Sequence, residues 1–221
     1  MTTEQPLKAH SWAEIHYYLL VTPCPNCGKG PWHAAATGEA PGQSPSPFAP
    51  GTAHDATAPS AVDVPAVCQA CGTARTFGFV GAPPALAGPV ADVQPINPSD
   101  QASWIIDVGQ WISLFHFFLE AAARETDRPA SRRLGYQASQ CLAEALKFYA
   151  DDQLPPDTAV FTDASRAAFR DHPERFARQR LRDMQAKLPP LSKMARCVAE
   201  DRQRTKRRPW WKLWDREDRT K

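Results

Sequence analysis

The spacing of apolar side chains divides the chain into a front part of short alternations and a rear part of helical periods. In the rear, Trp104, Val108, Trp111, Phe115, Phe118 and Ala122 recur at helical steps, widened by Ile105, Ile112 and Leu119. This predicts a long helix to about Glu125, apolar around most of its circumference and therefore central in a bundle. Asn97-Pro98-Ser99-Asp100 reads as its start, with Ser99 or Asp100 as the cap. After a break at Thr126–Pro129, Leu134, Ala138, Cys141, Leu142, Ala145, Phe148 and Tyr149 mark a second helix from about Ser131 to Tyr149. The short connection predicts an antiparallel hairpin of the two. Thr162 or Asp163 can cap a short helix through Phe169. Asp171-His172-Pro173 opens another, with Phe176, Ala177, Leu181, Met184 and Leu188 facing inward. A weak helix is expected over about Leu191–Arg204, and Trp12, Ile15, Tyr18 and Leu19 predict one over Ser11–Leu20.

Strand signals are confined to the front. Phe77 and Phe79 alternate with small or polar residues in Thr73–Val80, and Ala61–Val67 supplies a partner that Pro65 would confine to an edge. The expected fold class is α+β: a small antiparallel β unit over 22–80, preceded by a helix in 1–21 and followed by a helical bundle over 99–190. Residues 191–221 hold the weak helix and a tail.

Proline changes this picture. Its 22 residues in a chain of 221 are about twice the usual share. Eleven lie in two tracts, Ala34–Pro65 and Gly81–Pro98. The first predicts a disordered insertion over about 34–60, the second a linker over 81–98.

The most specific chemistry is Cys24-Pro25-Asn26-Cys27-Gly28 paired with Cys68-Gln69-Ala70-Cys71-Gly72. Two residues between thiols let both sulfurs reach one tetrahedral ion, and a following glycine can take positive φ and turn backbone amides towards them. Four thiolates form a closed set, which favours a structural over a catalytic ion. Over about Thr22–Val80 the chain resembles the zinc-ribbon superfamily, in which two such knuckles cap a small antiparallel sheet. The resemblance implies one structural Zn²⁺ held by Cys24, Cys27, Cys68 and Cys71, with Trp32 covering a small core. Forty residues separate Cys27 from Cys68, more than in compact ribbons, and the proline-rich insertion accounts for them. Loop closure grows only logarithmically, at roughly 0.6 kcal/mol per doubling. Rubredoxin-like iron and a thioredoxin-type redox pair fit less well, because neither an acidic aromatic surround nor a βαβ unit is visible. His33 and His54 are dispensable as ligands, and Cys141 and Cys197 read as ordinary buried or half-buried thiols.

Charge is segregated behind a net value of +2. Residues 162–221 carry 18 Lys/Arg against nine Asp/Glu, and residues 1–161 carry eight against 15. The chain closes on Lys206, Arg207, Arg208, Trp210, Trp211, Lys212 and Trp214, where cations meet exposed tryptophans. Such a tail suits a protein groove first. It also suits an anionic membrane surface and, as a third use, nucleic acid, with cations on phosphates and tryptophans on bases. No secretory signal or transmembrane span is read, so the expected location is the cytoplasm, with a peripheral position at the inner face of the membrane under the second use.

Catalytic signatures are scarce. His116 and Glu120 share a helix face, and Asp107 and Glu144 are the remaining candidates to join them. Bundle metal sites need a Glu-x-x-His motif on two helices, which this sequence lacks. The pair therefore reads as a hydrogen-bonded core histidine or a rim pair. No nucleophile elbow, Walker loop or dinucleotide fingerprint is present. The expectation is a non-enzymatic zinc-binding accessory or adaptor protein with a protein partner and no inferred small-molecule substrate. Its alternatives are a nucleic-acid-associated protein and a peripheral membrane protein.

Overall fold

The computed structural model describes residues 5–34, 61–81 and 95–206. Most of the proline-rich insertion and of the linker, and the tail beyond Lys206, lie outside the described residues. The fold is α+β. Four strands, β1 (Leu7–Lys8), β2 (Trp32–Ala34), β3 (Ala61–Cys68) and β4 (Ala74–Val80), stand in the order β1-β4-β3-β2. Among the described residues six α-helices accompany them: α1 (Trp12–Val21), α2 (Val108–Arg124), α3 (Arg128–Leu146), α4 (Asp163–Asp171), α5 (Arg178–Ala186) and α6 (Leu191–Lys206).

The β3–β4 hairpin follows the predicted alternation: Val64, Ala66, Phe77 and Phe79 are buried on one face. Two expectations for the sheet need correction. It is mixed, because β1 runs parallel to β4, with Leu7 opposite Phe79. Nor is β3 an edge strand, since β2 pairs with it at Trp32–Cys68, His33–Val67 and Ala34–Ala66. Pro65 lies one residue past the last of these pairs, so the described part of β2 never asks it for a hydrogen bond. Ala34, placed in the insertion from sequence, belongs to β2.

α1 is capped by Ser11, whose Oγ accepts from Glu14 N–H at 3.0 Å. It lies between sheet and helices. Tyr18 sets its ring edge-on to Phe77 and Phe79, at 6.0 and 5.7 Å. Tyr17 next to it contacts Trp111 and Phe118 of α2 at 5.8 and 5.7 Å. Buried apolar side chains consequently form one cluster from Phe79 and Trp32 through α1 to Trp111, Leu142 and Leu181.

The start of α2 differs from the sequence expectation. Asn-Pro-Ser-Asp at residues 97–100 closes a turn instead of opening a helix: Asn97 Oδ1 accepts from Ser99 N–H at 2.9 Å, while its Nδ2 donates to Gln101 O at 2.7 Å. Short polar side chains that cap helices also stabilise such turns, and here the turn wins. The helix begins at Asp107 with a reciprocal capping box to Gln110. Nor is α2 buried all round, because Ser113, His116, Phe117, Leu119 and Glu120 are exposed and Trp104 lies before the helix on the surface.

α2 and α3 form the expected antiparallel hairpin, with Ala138, Cys141, Leu142 and Ala145 buried. Thr162 caps α4, its Oγ1 accepting from Ser165 N–H at 3.3 Å. The helix expected from Pro173 onward is interrupted at Ala177, between a short 3-10 turn (Pro173–Phe176) and α5. Tertiary bonds take the backbone groups there. Tyr149 Oη donates to Phe176 O at 2.6 Å, and Arg178 N–H donates to Gln153 O at 2.8 Å. α6 packs on α3 through buried Val198, and Arg132 reaches Asp201 at 2.9 Å.

Candidate metal centre

Each knuckle is built by the same backbone pattern. In the first, Cys24 N–H donates to Lys29 O at 2.5 Å and Gly28 N–H to Cys24 O at 2.8 Å. In the second, Cys68 N–H donates to Thr73 O and Gly72 N–H to Cys68 O, each at 2.9 Å. Gly28 and Gly72 occupy φ of +68° and +75°, which closes each turn without Cβ strain. A third bond ties the knuckles, from Gln69 N–H to Pro31 O at 3.0 Å.

These turns bring together the sulfurs of Cys24, Cys27, Cys68 and Cys71, all within 4.8 Å of one another. Cys24 faces Cys71 at 3.7 Å and Cys27 faces Cys68 at 3.8 Å. A disulfide would require about 2.05 Å. Four sulfurs placed about 2.3 Å from one central ion stand about 3.8 Å apart, so this spacing suits a single tetrahedral metal ion. Cys24 and Cys68 are buried, Cys27 is half-buried and Cys71 exposed, so the site sits at the edge of the core. Trp32 is buried behind it and meets Phe77 edge-on at 5.2 Å.

Surrounding polar groups distinguish the thiols. The Thr73 hydroxyl, 3.2 Å from Cys71 Sγ, and the Thr73 backbone N–H hold that thiol below its ordinary range against the effect of burial. At Cys27 the Lys29 backbone N–H favours the thiolate, but burial and the other three sulfurs outweigh it and push the thiol up. A cation bound among the sulfurs would displace the thiol protons. Asn26 Nδ2, donating to Thr73 Oγ1 at 3.1 Å, adds a link from the first knuckle to the second.

The other candidates separate. His33 is exposed on β2, and His54 lies outside the described residues. His116 is exposed, which settles it on the rim and not in the core, and Glu120 beside it pairs with Arg124 at 3.1 Å. Asp107 and Glu144 do not join them. Asp107 is buried and accepts from Thr162 and Ser165 of the α4 cap. Glu144 is buried on α3 beside Lys147. Among the described residues the four cysteines are the one cluster with metal-ligand spacing. Lys206 ends α6, while Arg207, Arg208, Trp210, Trp211, Lys212 and Trp214 lie outside the described residues. No helix among the described residues is long and apolar enough to cross a membrane.

Of two further buried carboxylates, Glu14 escaped sequence reasoning, and Glu144 entered it only as a candidate companion of His116 and Glu120. Glu14 is fully buried under the α1 N-terminus, where His10 N–H donates to its Oε2 at 2.5 Å. Its signal was only its place at the third helical position, where it also supports the cap. Glu144 accepts from Lys147 Nζ at 2.9 Å through Oε1, while Oε2 is buried without a hydrogen-bond partner. Burial, opposed by Lys147 and reinforced by the charge of Glu14, pushes the Glu144 carboxyl up to about 7. The folded state therefore binds a proton that the unfolded state releases near its ordinary value. Stability from this group is complete below that value, about 4.3, and falls as pH rises to about 7. Glu144→Gln is expected to match the parent in urea unfolding at about pH 4 and to exceed it by roughly 3 kcal/mol at about pH 8. Lys147 keeps its bonds to Asn97 O and Ser99 O, at 2.9 and 2.7 Å, in either protein. Parallel pH curves for the two proteins would contradict the assignment.

Comparisons with models of protein families, with curated proteins and with solved structures find no match to this chain.

Proposed function

We propose that Cys24, Cys27, Cys68 and Cys71 hold one structural Zn²⁺ in a zinc-ribbon unit, and that the chain is a non-enzymatic accessory protein mediating protein–protein interaction. The carrying observation is the pair of matching knuckles with sulfurs facing across at 3.7 and 3.8 Å. All-thiolate donors select a soft ion over magnesium or calcium, and tetrahedral geometry favours zinc. Four protein ligands leave no position for a substrate, so the ion would organise structure instead of reacting. In this reading the ribbon and the helices present rigid surfaces, and the basic, tryptophan-bearing tail from Lys206 to Trp214 supplies an attachment segment.

The test is affinity capture with the full chain, the chain truncated after Lys206, and Cys24→Ser, each from cells of the protein's own source. A partner enriched by the full chain and lost with either change supports the proposal. Recovery at background level from all three would overturn the adaptor reading. Elemental analysis of the purified chain decides the zinc reading separately.

A further inference from the structure

A cleft of about 990 Å³ opens between α2, α4, the Pro173–Phe176 turn and α5, with Val21 and Pro23, just before Cys24, at its border. Its floor is apolar, formed by Ile112 and Phe176, which are buried, with Ala168 exposed on the α4 side. One wall is cationic: Arg175 and Arg180 line it, together with His116 of α2. Burial lowers the His116 pKa first. Arg180 then lowers it further, and Arg175 adds to this against an opposing effect of Glu120. Three basic groups therefore face one volume. Neither guanidinium has a carboxylate within ion-pair distance among the described residues. The carboxylates near the cleft are otherwise engaged. Asp163 pairs with Arg166 at 2.7 Å, Glu120 pairs with Arg124, and Asp107 is consumed by hydrogen bonds from the helix caps.

Uncompensated arginines crowding a histidine repel one another unless an anion joins them. Arginine forks fit oxyanions such as phosphate or carboxylate by paired N–H bonds. A cleft of this volume, mostly apolar and with a few convergent polar groups, has the form of a small-ligand site. We propose that this cleft binds a small organic oxyanion, its charged group on Arg175 and Arg180 and its apolar body on Ile112, Phe176 and Ala168. The site is independent of the metal and of the adaptor reading.

The probe is phenyl phosphate, titrated into the full-length protein while the His116 ring resonances are followed by NMR. Inorganic phosphate and phenol serve as the charge-only and ring-only arms. Saturable shifts of His116 are expected with phenyl phosphate, at an affinity at least about tenfold tighter than either arm. Arg175→Gln combined with Arg180→Gln should weaken binding at least about tenfold, while Arg182→Gln, outside the cleft with the same charge change, should leave it intact. Both cleft arginines are exposed, so their replacement spares the core. Ala168→Phe, which fills the floor from an exposed position, should give a comparable loss by an independent route. The proposal is overturned by no saturable shift up to about 10 mM phenyl phosphate. Equal affinity in the double-glutamine protein overturns it too, as does equal affinity for inorganic phosphate, which would mark only a basic surface.

Discussion

Replacing Cys24 or Cys68 by serine is expected to abolish stoichiometric zinc and to lower the melting temperature by about 10 °C or more. Each of these thiols is 1% exposed and belongs to the same apolar cluster as Trp32 and Phe77. A serine at either position removes a ligand and leaves three crowded sulfurs and a hydroxyl at the edge of the core. Structural zinc in small domains contributes several kcal/mol to folding. A loss of about 3 to 5 kcal/mol corresponds to roughly 10 °C or more in a chain of this size, at about 2–4 °C per kcal/mol. Elemental analysis and thermal unfolding by circular dichroism measure the two effects. Cys197→Ser provides the comparison, since Cys197 is half-buried on α6 outside the sulfur cluster, and it should keep one zinc per chain. A Cys24→Ser protein with full metal content and an unchanged melt would refute the ligand assignment.

Asp107→Ala is expected to cost about 4 kcal/mol in urea unfolding, with no change in metal content. Its carboxylate accepts from Gln110 N–H at 2.8 Å, Thr162 N–H at 2.9 Å, and the Thr162 and Ser165 hydroxyls at 2.6 Å each. It is fully buried, and one group thus terminates α2 and docks the first turn of α4. Hydrogen bonds to a charged group each contribute about 1.5–3 kcal/mol, and alanine would leave several donors without a partner away from water. Gly109 belongs to the same contact. A Cβ there would stand 2.4 Å from Ser165 Oγ and 2.8 Å from Ser165 Cβ, so α4 approaches this closely only over glycine. Asp107→Asn, isosteric but uncharged and carrying donors of its own, should lose about half as much. An Asp107→Ala protein within about 1 kcal/mol of the parent would show that relaxation at the α4 cap replaces these bonds.

The contrast between these two sites explains what was legible in the sequence. The cysteine pairs announce themselves because the chemistry fixes short spacings, and the structure brings those four residues together. The stripes of α3 and α1 and the alternation of Phe77 and Phe79 are legible because burial imposes a period. Asp107 gave no such sign. Apart from the local cap to Gln110, its partners lie 55 and 58 residues away, and nothing local distinguishes a buried acceptor from a surface aspartate. The start of α2 was misplaced for a related reason: Asn97-Pro98-Ser99-Asp100 and Asp107…Gln110 are both plausible caps, and only packing chooses between them. β1 and β2, of two and three residues, are too short for any alternation to register. The cationic wall of the cleft was invisible as a site because Arg175 and Arg180 blend into an arginine-rich stretch until folding sets them beside His116.

Tyr17 and Tyr18 are neighbours in α1, yet one ring packs into the helices and the other onto the sheet. A single peptide unit thus fastens both halves of the molecule. If the knuckles hold the proposed ion, its removal is expected to loosen the sheet under Tyr18, and a shift of α1 in response would draw Tyr17 away from Trp111. The helix ends at Val21, which lines the cleft together with Pro23, and Cys24 of the first knuckle follows at once, so a few residues of chain separate the two candidate sites.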